Sequence, residues 1–171
     1  MKIPNLPFGQ KKEPSEYYLA LTLRDDKASA VIFEENLKRA TVVGFGEANF
    51  TAGIETASDK EFLEVLDKAI SQAEKNLPNN IETQKTIFAV KDGWVMDGKI
   101  KPDYLAKLKK ASEELDLKPV GFLVITEAIV NLLEKEEGAP PTVIITELGL
   151  KQITVTLVRA GRIIEVKPTA L

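Results

Sequence analysis

The feature that most constrains this chain is a strand design that occurs twice. From Thr142 to Val166 the sequence runs TVIITELGLKQITVTLVRAGRIIEV, and from Tyr18 to Val43 it runs YLALTLRDDKASAVIFEENLKRATVV. In each copy an apolar strand meets a polar turn carrying a lysine, Lys27 or Lys151. An alternating strand follows, Ala28–Phe33 or Ile153–Val158. Successive side chains of a strand point to opposite faces, so such alternation marks a half-buried strand. Each copy then passes a basic turn into a further strand. A hairpin design used twice, with helical sequence between, predicts a duplicated fold with two facing lobes.

The intervening sequence supplies the helices. Ser58–Asn76 is predicted as a helix: Ser58 and Glu61 have capping-box spacing, and Phe62, Leu66, Ile70 and Ala73, with Leu63 and Ala69, make one apolar stripe. Leu77-Pro78-Asn79-Asn80 stops it. Lys85–Val90 (KTIFAV) is short and apolar, as a buried parallel strand should be. After an Asp97-Gly98 turn, Pro102 opens a second helix to about Asp116, striped by Leu105, Leu108, Ala111 and Leu115. Pro119–Ile125 is expected as another buried strand, and Thr126–Glu137 as a third helix with Ala128, Ile129, Leu132 and Leu133 on its apolar side. In the N-terminal hairpin, Arg24–Lys27 form the turn, Arg39–Ala48 is the third strand with Asn36 marking the second turn, and Gly44 and Gly46 loosen its end.

The predicted order is therefore βββ-α-β-α-β-α, an α/β mixed sheet, followed by a second set of strands. Residues 1–16, with three prolines and a KKEP cluster, read as a flexible leader whose Ile3, Leu6 and Phe8 form either a docking peptide or part of a tail. Residues 17–137 make the first lobe. Gly138–Pro141 breaks the chain, and 141–171 begin a second lobe.

Composition narrows the chemistry. The 171 residues contain neither cysteine nor histidine. That excludes disulfides, thiol nucleophiles and every mechanism that needs an imidazole. Any reaction would have to run on carboxylates, lysine, hydroxyls or an oxygen-bound hard metal. A net charge of −3 offers no general attraction to nucleic acid. No apolar run approaches the roughly 20 residues needed to cross a bilayer, and no signal peptide is visible, so the cytoplasm is the expected location.

The strand order and repeated hairpin resemble the actin-like ATPase superfamily, which has an RNase H-like fold, and within it the bacterial PilM and FtsA type. YYLALTLRDDKASAVIFEE is similar to the superfamily's first phosphate hairpin, and VGFGE to the strand after it. KPVGFLVITEAIVNLL resembles the segment leading into the lobe-connecting helix. TVIITELGLKQITVTLVRAGRI resembles the second phosphate hairpin. The resemblance implies an Asp-x-Gly core in each hairpin, the acid organising magnesium and the glycine admitting phosphate to the backbone. Here Thr22 and Arg24 stand at those positions in the first hairpin. In the second, Glu147 stands for the acid and Gly149 is kept, but Leu150, Lys151 and Gln152 replace small residues. Both sites look eroded.

The resemblance thus implies a non-catalytic scaffold domain of a cytoplasmic assembly, peripheral at the inner membrane and without bound cofactor. Its partner would be a protein held by a sheet edge or between the lobes, either a membrane-protein tail or another copy. The alternative is an Mg-ATP-binding ATPase or nucleotide switch, with Glu147, Gly149 and Thr154 as the phosphate-side contacts. A nuclease of RNase H ancestry would need clustered acids around two metals, where these strands offer Thr22 and Leu23. Several residues carry a bland reading beside the sharp one. Asp25 and Asp26 suit a polar turn as well as a cation site, Lys27 and Lys151 suit solvated turns as well as phosphate contacts, and Glu127 suits a helix start. Trp94 either lines a cleft beyond a parallel strand or caps the core. Lys107, Lys109 and Lys110, followed by Glu113 and Glu114, read as a solvated helix face.

Overall fold

A computed structural model describes residues 16–36, 39–75, 77–78, 81 and 83–171. The chain begins there with β1 (Glu16–Leu23), β2 (Lys27–Asn36) and β3 (Arg39–Asn49), an antiparallel meander. Glu16, assigned to the leader on sequence, is the first residue of β1, held there by a 2.8 Å contact with Lys85. The rest of the leader, the turn between Asn36 and Arg39, and Asn79 and Asn80 of the expected helix stop lie outside the described residues. Leu19, Leu21 and Leu23 pair across the ladder with Ile32, Ala30 and Ala28, and all six are fully buried. Alternation in the sequence becomes one covered face.

That face is covered by α1 (Asp59–Glu74), which packs Phe62, Val65, Leu66, Ala69 and Ala73 against β2 and β3. Ser58 caps it by accepting the Glu61 N–H at 3.2 Å. The reciprocal half of the expected capping box is replaced, because the Glu61 carboxylate takes the Thr51 N–H at 2.7 Å and so ties the preceding loop to the helix. Gly44 and Gly46 do not loosen β3. A Cβ at either would collide with the α1 backbone, at Ala73 and Ala69, so they set how closely helix and sheet approach.

β4 (Lys85–Val90) pairs parallel with β1, and β7 (Lys118–Val124) pairs parallel with β4. Between them run a turn of 3₁₀ helix (Asp92–Trp94), the short hairpin β5 (Val95–Met96) and β6 (Lys99–Ile100), and α2 (Pro102–Glu114). The order β3-β2-β1-β4-β7 makes a five-stranded mixed sheet. α3 (Ile125–Glu137) follows, and then β8 (Val143–Leu148), β9 (Gln152–Arg159) and β10 (Arg162–Ala170) form a separate three-stranded antiparallel sheet. The predicted α/β order is therefore present.

Three expectations of burial fail, for one reason. β7 is not a buried strand: only Val124 is buried, because the strand is the sheet edge and no further strand flanks it among the described residues. Leu105 leaves the α2 stripe and is exposed, while Tyr104 packs on the core instead. On α3 the buried residues are Thr126 and Val130, with Ile129 and Leu132 outward. Periodicity marks an apolar face, but burial also requires a neighbour for that face.

Candidate functional site

The two hairpin turns face each other, and the end of β4 lies beside them. The first turn is anchored from below: Ile54 donates its N–H to the Asp25 carbonyl at 2.9 Å and Phe50 to that of Asp26 at 2.8 Å. Side chains then close the gap. Gln152 Nε2 donates to Asp25 Oδ2 at 3.2 Å, and the Asp25 carboxylate lies so near Gly149 that a Cβ there would collide with it. Arg24 Nε lies 3.7 Å from Glu147 and 4.0 Å from Asp26, and the Nε has no hydrogen-bond partner among the described residues.

Lys91, one residue past β4, reaches under the turns. Its side chain is only about 10 % exposed, and its ammonium forms ion pairs with Asp25 and, at 2.7 Å, with Glu55. Burial disfavours its charge, but the hydrogen bonds and fields of Asp25 and Glu55 outweigh that and hold its pKa above the usual lysine value. Glu55 is the reciprocal case. Burial would raise its pKa, yet donation from Lys91, Trp94 and Tyr104 leaves it below the usual carboxylate value. Trp94 Nε1 and the Tyr104 hydroxyl each donate to Glu55 at 2.9 Å, and their rings stack at 4.3 Å. Both rings come from the β4–α2 region. Trp94 is 1 % exposed, so it belongs to the core and holds Glu55 rather than lining the cleft.

Together these groups bound a cavity of about 520 Å³. Of the expected site residues, Glu147 and Thr154 both line it and face each other across the β8–β9 ladder. Gly149 is turned toward Asp25 instead. Burial pushes the Glu147 pKa up; Arg24 opposes that, and Asp25 adds to it. Asp92, which accepts from the Thr126 hydroxyl at the start of α3, also lines the cavity. The wall thus carries Asp25, Glu55, Asp92 and Glu147 against Lys91 as its lining cation.

Sequence reasoning missed Lys91 and Glu55. A signal for Lys91 existed, since it ends a parallel strand, where α/β sheets place their sites. Glu55 sits in an irregular loop with no pattern to mark it. The basic cluster on α2 is partly occupied: Lys107 donates to the Ala57 carbonyl at 3.1 Å and Lys110 pairs with Asp59 at 2.7 Å. Lys27 pairs with Glu47 at 2.7 Å, a contact across β2 and β3 rather than toward the cavity. Glu127 is exposed in the first turn of α3.

Solved structures share this fold. The ethanolamine utilization protein EutJ from Carboxydothermus hydrogenoformans superposes with a TM-score of 0.60 at 12% identity, over 92% of this chain and 53% of that one. MreB5 of Spiroplasma citri, solved bound to ADP, gives 0.53 at 12% identity over 91% and 52%. An exopolyphosphatase from Cytophaga hutchinsonii gives 0.53 at 8% identity over 91% and 51%. The chain has an actin-like fold. It spans about half the length of these structures. No protein-family model matches the sequence, and no curated protein matches it. The β1–β2 and β8–β9 turns are the two copies of the hairpin that the sequence repeats.

Proposed function

We propose that this chain is a non-catalytic actin-like domain that acts as a scaffold through protein contacts. The observation that supports this reading is the direct engagement of the two hairpins. Asp25 already serves Lys91 and Gln152 and packs against Gly149, whose N–H is itself donated to the Gln152 carbonyl at 2.9 Å. A magnesium-held phosphate needs free carboxylate oxygens and exposed amide N–H groups at these turns. Four carboxylates against one lysine along the cavity wall would also repel an anion. The residues present do not fit a nucleotide phosphate chain.

Scaffolding requires surfaces for partners, and β3, β7, β8 and β10 each end a sheet among the described residues. Free strand edges accept a further strand. No helix among the described residues is long and apolar enough to cross a membrane. A peripheral role of the PilM or FtsA type, at the cytoplasmic face of a membrane assembly, is our reading of the resemblance in the hairpins and the connecting segment.

The test is calorimetric titration of the chain with Mg-ATP, with Glu147→Ala alongside. The expected result is no binding heat for either protein at millimolar nucleotide. Wild-type binding that disappears in Glu147→Ala would overturn the scaffold reading in favour of a nucleotide switch, the reading that the ADP-bound MreB5 superposition favours.

A further inference from the structure

A second concavity lies away from the hairpins, between α2 and the edge strand β7, with a volume of about 800 Å³. Its floor is apolar: Leu105, Leu108, Leu117, Val120 and Phe122 line it, and Val120 is 54 % exposed. Glu113 and Asp116 stand with Lys109 on its polar rim. An apolar groove along a free sheet edge is an association surface unless something covers it.

The sheet's geometry indicates which segment is nearest. β1, β4 and β7 are parallel, and Lys85 pairs with Lys118 at the start of β4 and β7. Glu16, the first residue of β1, contacts Lys85 at that same end. The polypeptide before Glu16 therefore joins the sheet two strand spacings from β7, about 10 Å. Asp116 and Leu117, which line the groove, precede β7 at this end. From Glu16 back to Phe8 are eight residues, enough to span up to about 26–29 Å. Reach is not limiting, and tethering raises the local concentration of such a segment to the order of millimolar.

The composition of residues 1–15 matches the groove. Ile3, Leu6 and Phe8 are its large apolar side chains other than Met1, and Lys2, Lys11 and Lys12 against Glu13 give it the charge opposite to Glu113 and Asp116. We propose that residues 1–15 dock in the α2–β7 groove of their own chain, with Leu6 and Phe8 as anchors. Pro4 and Pro7 lack an amide hydrogen, so side chains in the groove, rather than an extended β7 ladder, carry the contact. The segment thereby covers the most exposed strand of the five-stranded sheet.

Methyl-labelled full-length chain tests this by nuclear Overhauser contacts from the Phe8 ring to the Leu105 and Val120 methyls. The expected result is that these contacts are present and remain within one molecule when labelled and unlabelled chains are mixed. Leu6→Asp/Phe8→Asp should move those methyl resonances and leave the buried Leu21 methyls in place. Absence of the contacts in the wild-type chain overturns the proposal. So does their appearance only between differently labelled molecules, which would make a second copy the occupant.

Discussion

The two hairpins share a sequence design but not an environment. In the first, β1 and β2 bury Leu19, Leu21, Leu23, Ala28, Ala30 and Ile32 completely beneath α1. In the second, β8 and β9 bury Thr156 and Val158, while Ile144 and Leu148 are 68 % and 65 % exposed and Leu157 is exposed across the ladder from Ile144. Alternation specifies a strand with a preferred inner face. It does not provide the helix that covers that face, and burial rather than pairing is what contributes most of the stabilisation.

The largest test of this contrast is truncation in each hairpin. Leu21→Ala should cost about 2–5 kcal/mol, as for other fully buried leucines. Ile144→Thr, which keeps a β-branched side chain at an exposed site, should stay within about 0.5 kcal/mol. Urea denaturation of both variants measures the difference. Equal costs would mean that the exposed face of the second sheet is covered in solution.

A smaller effect is expected where helix meets strand. Gly46→Ala places a methyl group into the backbone of α1 at Ala69 and should destabilise by about 1–3 kcal/mol. Gly121→Ala, on the edge strand β7, meets nothing within 4 Å among the described residues and should cost less than Gly46→Ala. Melting temperatures of the pair sharpen the comparison between the sheet under α1 and the sheet edge. A tolerated Gly46→Ala would show that α1 sits less tightly on β3 than its packing implies.

The smallest effect lies where the hairpins meet. Because burial raises the folded-state pKa of Glu147, both states are protonated below the ordinary value of 4.5 and the side chain is then neutral toward folding. As pH rises through the raised folded value, the folded state must ionise a half-buried carboxylate, and stability is lost. Glu147→Gln should therefore gain on the wild type as pH increases above 4.5, with the gap closing on acidification. Denaturation midpoints between pH 4 and 7 measure it. A gap that widens toward acid would mean that Arg24 dominates the site.

Much of the fold was legible because its determinants are local. Ser58 caps α1 as its spacing predicts, and the hairpin turn at Arg24–Lys27 falls where the polar residues interrupt the alternation. The candidate site was less legible. Glu147 and Thr154 are cross-strand neighbours within one hairpin, and their convergence on the cavity follows from local pairing. The clamp of Lys91 between Asp25 and Glu55 joins three separate segments, and no period or turn signal links them.

The sequence by itself determined the strands, the helices and the repeat of the hairpin, because period, caps and turn chemistry act over a few residues. Only the tertiary structure decided which apolar faces are covered, that Gly44 and Gly46 serve a helix, and that Asp25 closes on Gly149. Those outcomes depend on contacts between residues distant in the chain, set by how α1, β4 and the second sheet assemble. A local pattern of apolar and polar residues carries no term for such contacts.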